Sequence, residues 1–190
     1  MGSKKTKTTG EISGSPNVST KDIWPQERDY MTRPDRFKYV RKLLKPDGCV
    51  FCNAREAGVS FESLCLYLDD QAMVILNKFP YNSGHLLVLP HRHCGRLADL
   101  SAEEYDHLSR LLLFTVKTVE NIFECPGFNV GLNHGSVAGA GIPEHLHWHV
   151  IPRWHGDTNF FPVIAETKVL PETLEQTYER LKDSFREVHL

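Results

Sequence analysis

No stretch of this 190-residue chain is apolar for long enough to span a bilayer. Its densest runs, 86–89 and 111–114, fall far short of the roughly 20 residues a membrane helix needs. Neither sign of charge dominates: 22 Lys and Arg face 24 Asp and Glu, a formal net charge of -2. That balance gives no basis for a general nucleic-acid binder or an acidic solvating chain. Cysteine is sparse and odd in number (Cys49, Cys52, Cys65, Cys94, Cys125), with a single close pair, which is not a secreted disulfide framework. Lys4, Lys5 and Lys7 are followed by no apolar stretch, so the N-terminus is not read as a secretory signal. There is no Walker lysine motif, no G-x-G-x-x-G fingerprint and no internal repeat. A soluble, cytoplasmic protein without membrane or nucleic-acid partners is the expectation.

What is present is an ordinary globular composition, 41% hydrophobic and 24% charged, enough for one sizeable core. The length suggests one domain with tails. Residues 1–22, rich in Lys, Ser, Thr and Gly, read as a tail. Residues 23–48, with Trp24, Tyr30, Phe37 and Tyr39, read as an extension on the domain edge with a short helix near 36–44. The domain proper is expected over 49–166. Apolar runs at 63–68 and 72–77 flank Asp69-Asp70-Gln71 and predict a hairpin. A third strand, 85–90, is entered through Pro80, Asn82, Ser83 and Gly84. Ser101-Ala-Glu-Glu104 is a capping box, and Tyr105, Leu108, Leu112, Thr115, Val119 and Ile122 follow at helical spacing. A long helix is therefore predicted over Ala102–Phe123. Strands follow at 128–133 and 146–152, around a glycine-rich loop. Pro171 holds an N1-like position before a polar helix at 172–187, within a C-terminal segment 167–190. The class is α+β: a mostly antiparallel five-stranded sheet with one long helix and a C-terminal helix.

Histidine is abundant, with ten residues, and its placement carries the signal. His145-Leu-His147-Trp-His149-Val-Ile-Pro152 alternates strictly. Residues two apart in a strand share a face and lie roughly 6.5–7 Å apart, so three imidazoles point one way. Leu146, Trp148 and Val150 then point into the core. Each ring on that face needs hydrogen-bond partners, which makes incidental packing a costly explanation. Two chemistries fit: a metal face, or a nucleophilic imidazole with supporting neighbours. Cys49-x-x-Cys52 fits a metal or redox pair, with no thioredoxin-like context around it. Cys65, Cys94 and Cys125 read as small buried hydrophobes. The loop at 135–141, GSVAGAG, is either a plain turn or a place where backbone N–H groups approach phosphate.

Together these residues resemble the histidine triad (HIT) family of nucleotidyl hydrolases and transferases. The likeness rests on the alternating histidines of 145–151, on Asn77 to Phe79 ahead of Gly84-His85-Leu-Leu-Val-Leu-Pro90, on His91-Arg-His93, and on Asn133 with the glycine loop. These fall in order over roughly 49–154. The run AGAGIPEHLHWHVIPRW, followed by Gly156-Asp157, is most similar to the bacterial branch related to diadenosine tetraphosphate phosphorylases and hydrolases. Gly141 stands where many members carry a phosphate-contacting Gln, so Ser136 and the loop amides are expected to replace it. His149 argues against the uridylyltransferase branch, which has Gln there.

The resemblance implies His147 as the nucleophile, forming a covalent nucleotidyl-imidazole that phosphate or water then cleaves. A neutral imidazole is nucleophilic near pH 7 when an acceptor holds the proton of its other nitrogen, and a backbone carbonyl of the same strand is the expected acceptor. His149 is implied to bond the phosphoryl or bridging oxygen and to assist departure of the leaving group, with Asn133 as an amide donor. Asn77, Phe79, Ser136, Gly139 and Gly141 are the implied substrate contacts, although Asn77 also serves to end a strand and Phe79 also suits the core. Trp154 is a further candidate contact. Trp148 and the leucines of 86–89 read as core, and His107, His134 and His155 as surface or locally bonded residues.

Zinc-bearing members of the family imply a structural Zn2+ on Cys49, Cys52, His93 and His145, with His91 as the substitute in a shifted register. No organic cofactor is implied. A homodimer through the long helix and a sheet edge is implied as well, and Leu111 to Phe114 make that helix apolar over a broader arc than one half-buried face needs. Two further functions stay open: a nucleotide-binding module with little turnover, and a metal-dependent hydrolase using the histidine strand.

Overall fold

A computed structural model describes residues 47–157 and 170–188. The expectations for the tail, most of the extension with its helix near 36–44, and residues 158–169 lie outside the described residues. Five strands form one antiparallel sheet: β1 (Cys65–Leu68), β2 (Ala72–Leu76), β3 (Leu86–Pro90), β4 (Gly127–Leu132) and β5 (Trp148–Arg153). Their order is β1-β2-β3-β5-β4, so β5 lies between β3 and the edge strand β4. Among the described residues three α-helices accompany the sheet: α1 (Val50–Ala57), α2 (Ala102–Phe123) and α3 (Leu174–Leu181). Among the described residues no helix is long and apolar enough to cross a membrane.

The period of two along β2 and β3 builds two cores. Val74, Leu76, Leu86 and Val88 face α2 and α3, joining Leu108, Leu111, Val119, Phe123, Val150, Tyr178 and Leu181. Met73, Ile75, Leu87 and Leu89 face the other way and close over Phe51 of α1. Because both faces are covered, these strands carry continuous apolar runs rather than alternation. Cys65, Cys94 and Cys125 are buried, as small hydrophobes are expected to be.

Helix α2 has the anticipated bounds, and its capping box is complete: Glu104 N–H donates to Ser101 Oγ, while Ser101 N–H donates to Glu104 Oε2. Two helices differ from expectation. The Cys49-x-x-Cys52 segment opens α1, a helix of 8 residues capped by no side chain. Helix α3 starts at Leu174 rather than 172, because Thr173 and Gln176 form a second capping box that outcompetes the signal of Pro171. It also ends at Leu181, short of the expected 187.

The β1–β2 turn is tied to α2 by Asp69. Its Oδ1 accepts the N–H groups of Gln71 (2.8 Å) and Ala72 (2.6 Å), and its Oδ2 accepts Tyr67 Oη–H (2.6 Å) and faces His107 Nε2 at 2.7 Å. Burial alone would raise this carboxyl, but these donors hold it below the usual carboxylate range. Replacing Asp69 by Ala strands four donors at a half-buried site, and is expected to cost about 2 kcal/mol of unfolding free energy in urea melts. A loss below about 0.5 kcal/mol would show that the network is only surface decoration.

Candidate active site

The sheet register delivers the histidines. Leu87 on β3 pairs with His149 on β5, and Leu86 with Val150, so the odd-numbered residues of both strands share the α1 face. Val150 is fully buried in the opposite core, Leu146 is buried, and Trp148 packs beside α2 with Tyr105, as the alternation required. His145 and His147 stand just ahead of β5 rather than within it. There the chain is held by Leu146 N–H donating to Cys94 O at 2.7 Å. Gly95 permits this approach: a Cβ there would sit 2.7 Å from Pro143 O and 3.0 Å from Glu144 Cα.

Main-chain partners set the tautomers of His147 and His145. His147 Nδ1–H donates to His145 O at 2.8 Å, so its Nε2 holds the lone pair. The expected backbone acceptor is thus the carbonyl two residues earlier. Burial pushes the His147 imidazole below its ordinary value, which keeps it neutral near pH 7. Its ring lies 5.1 Å from Phe51 and 5.2 Å from His149, centroid to centroid. His145 Nε2–H donates to Pro90 O at 2.9 Å, leaving Nδ1 as a donor atom toward the cysteines. Burial takes His145 down to about 4.

A fourth histidine completes the site and was given no role from the sequence. His85, 1% exposed, sits 2.9 Å from His149 through Nε2···Nδ1. Gly84, at φ +74°, turns the chain into this position. Tyr81 N–H donates to His85 Nδ1 at 3.1 Å, and the Tyr81 ring lies along both imidazoles, 4.9 Å from His85 and 6.2 Å from His149. The available signal was parity: His85 precedes Leu87 by two, on the face that Leu87 shares with His149.

The other expected site residues divide. Asn77 is turned to His85, its Nδ2 3.3 Å from Nδ1 and 3.4 Å from Nε2, while its Oδ1 accepts Phe79 N–H at 3.0 Å. Phe79 is half-buried and belongs to neither core cluster. Asn133 directly follows Leu132, the last β4 residue paired with β5, and His147 directly precedes that residue's partner Trp148. Ser136, Gly139 and Gly141 are exposed, and the Gly139 N–H is committed within the loop to Ser136 O at 3.0 Å. Trp154 packs on Phe123 at the α2 side, which places its ring in the core opposite the histidine face.

Cys49, Cys52, His93 and His145 converge, their ligand atoms all within 4.8 Å of one another. Cys49 Sγ is 3.5 Å and Cys52 Sγ 3.8 Å from His145 Nδ1, and Cys52 Sγ is 3.4 Å from His93 Nδ1. A tetrahedron with typical Zn–S and Zn–N bonds has S···N edges of about 3.6 Å, so the donor set fits a Zn2+ ion. The His145 hydrogen bond to Pro90 O supplies an outer-shell partner. Burial and the neighbouring Cys49 push the Cys52 thiol up. The cluster takes His93 and not His91. Of the three alternating histidines it includes His145.

A four-histidine face closed by a Cys2His2 cluster on a five-stranded antiparallel sheet defines a histidine triad protein. The HIT domain model matches residues 60–156, and the chain belongs to that family. The chain is 45% identical over 103 residues to an AP-4-A phosphorylase of Mycobacterium tuberculosis, covering 54% of this chain and 53% of that protein. It is 33% identical over 95 residues to the asymmetrical bis(5'-nucleosyl)-tetraphosphatase of Schizosaccharomyces pombe, covering 50% and 52%. It thus spans about half the length of these curated relatives. A Zn-bound histidine triad protein from Mycobacterium smegmatis superposes with a TM-score of 0.59 at 25% identity, over 74% of this chain and 94% of that one.

Proposed function

We propose that the chain is an enzyme that splits dinucleoside polyphosphates such as diadenosine tetraphosphate, through a covalent nucleotidyl-His147 and with phosphate or water as the acceptor. The observation that carries this reading is the His147 Nδ1–H bond to His145 O, which aims a neutral Nε2 lone pair away from the main chain beside His149. Nε2 attacks the α-phosphorus, the Nε2–P bond forms as the bond to the leaving oxygen breaks, and the acceptor then reverses the exchange. His149 bonds the phosphoryl or leaving oxygen, Asn133 supports it, and Asn77, Phe79, Ser136 and Gly141 border the nucleotide. The names of the two curated relatives support this substrate class.

The test is chromatography of products from diadenosine tetraphosphate with and without inorganic phosphate. ATP with ADP only when phosphate is present is the phosphorylase outcome, and ATP with AMP in its absence is the hydrolase outcome. His147→Ala is expected to lower kcat at least about 1,000-fold. No product under either condition overturns the reading.

Zn2+ on Cys49, Cys52, His93 and His145 would be structural, cross-linking α1 to the segment that carries the nucleophile. One zinc per chain is expected by elemental analysis, and Cys52→Ser should lower both the zinc content and the midpoint of thermal unfolding. Protein expressed in zinc-supplemented medium that still carries no metal would refute it.

Two copies are further proposed to pair over α2 and the edge strand β4, where Leu113 and Val130 are exposed. Light scattering should return twice the mass of one chain, and a monomeric mass at micromolar concentration removes this proposal.

A further inference from the structure

The hydrogen atoms around His149 are fixed by a chain that starts on the backbone. Tyr81 N–H is a donor in every protonation state, so His85 Nδ1, 3.1 Å away, must accept. Asn77 does not discriminate between the two ring nitrogens: its Oδ1 accepts Phe79 N–H, and its amide NH2 lies 3.3 Å from His85 Nδ1 and 3.4 Å from Nε2. His85 Nε2 therefore carries the ring hydrogen and donates it to His149 Nδ1 across 2.9 Å. With Nδ1 accepting, His149 carries its hydrogen on Nε2. Adding a proton to Nδ1 would place two hydrogens in one 2.9 Å gap, with His85 unable to switch tautomer against Tyr81 N–H. The Tyr81 ring lies 6.2 Å from the His149 ring, centroid to centroid, within 21° of its plane.

A neutral imidazole can donate its Nε2 hydrogen to a bond without giving it up, since release would leave an imidazolate. We propose that the relay from Tyr81 N–H through His85 makes His149 a fixed neutral hydrogen-bond donor and not a proton donor, so that the site selects leaving groups that depart as stable oxyanions. This rests on the nucleotidyl-histidine reading above and narrows it. In the first step the Nε2–P bond forms, the P–O bond breaks with its electron pair on the leaving oxygen, and the proton stays on His149 Nε2. The positive charge on the His147 ring is lost when the acceptor attacks and the P–N bond breaks. The terminal phosphate of a nucleoside polyphosphate, with a last ionisation near pH 6, leaves in this way unaided. An alkylamine, with a conjugate-acid pKa of about 10, must take a proton first. His85 is then a positioning residue that sets leaving-group specificity without touching the reacting atoms.

The test compares kcat/KM at fixed pH for diadenosine tetraphosphate, the 4-nitrophenyl and phenyl esters of AMP, and an alkyl phosphoramidate of AMP. The wild-type chain is expected to lose at least about 100-fold between the two esters and to turn over the phosphoramidate more slowly still, as a barrier without proton assistance requires. His85→Leu, which frees His149 Nδ1 for protonation, should flatten that dependence. His85→Gln, which retains an N–H donor at the same reach, should keep it steep. Similar rates on the two esters, or efficient phosphoramidate turnover by the wild type, overturn the proposal while leaving the nucleotidyl-histidine reading intact. An equal loss on all substrates in His85→Leu would reduce His85 to a structural part and overturn it too. Failure of every substrate, diadenosine tetraphosphate included, overturns both readings together.

Discussion

The pairing of Leu87 with His149 holds the two halves of the site in register. A slip of one residue between β3 and β5 would send His149 into the α2 core and bring Val150 out beside Phe51, because side chains alternate with a period of two. The slip is resisted from both sides. Val88 and Leu86 are buried against α2 and α3, while Leu87 and Leu89 are buried against α1. Turning either set around would put histidines among leucines. The same two-sided burial that makes β3 read as an uninterrupted apolar run thus fixes where the imidazoles stand. Hydrogen bonds then refine positions that packing has already chosen.

Much of this was legible in the sequence where the signal is local. The bounds of α2 follow from Ser101 and Glu104, and the shared face of His145, His147 and His149 from strict alternation. The turn at Asp69 follows from polar residues between two apolar runs. Legibility fails where a contact joins distant residues. His85 looks like the first residue of an apolar strand, and its importance comes from His149, 64 positions later. Helix α1 was hidden because the Cys49 and Cys52 spacing draws attention as a ligand pair, and no capping side chain announces a helix. Trp154 follows the histidine strand in sequence, yet the alternation that turns Val150 and Pro152 toward α2 carries it that way as well. Asn77 has the polarity of a substrate contact, but only the fold shows its amide turned to the His85 ring.

The Cys2His2 cluster and the nucleophile meet in a single residue. The ring of His145 faces Cys49 and Cys52, and its carbonyl takes the hydrogen of His147 Nδ1. Whatever steadies the ring steadies the peptide plane two bonds away. The segment ahead of β5 lacks ladder partners on β3, so this anchoring stands in for the strand pairing that His145 and His147 do not have.

The tautomers of His147, His145 and His85 are imposed by the main chain: His145 O, Pro90 O and the N–H of Tyr81. Peptide groups are present whatever side chain occupies a position, so substitutions at 145, 90 or 81 leave those partners in place, apart from a proline at 81. For these three rings the protonation pattern is therefore a property of chain path more than of amino-acid identity. It can drift little as the surrounding sequence diverges, and it is vulnerable where the backbone itself would have to move. Gly95 is such a place, because any side chain there would push on the carbonyl of Pro143, two residues ahead of the first histidine.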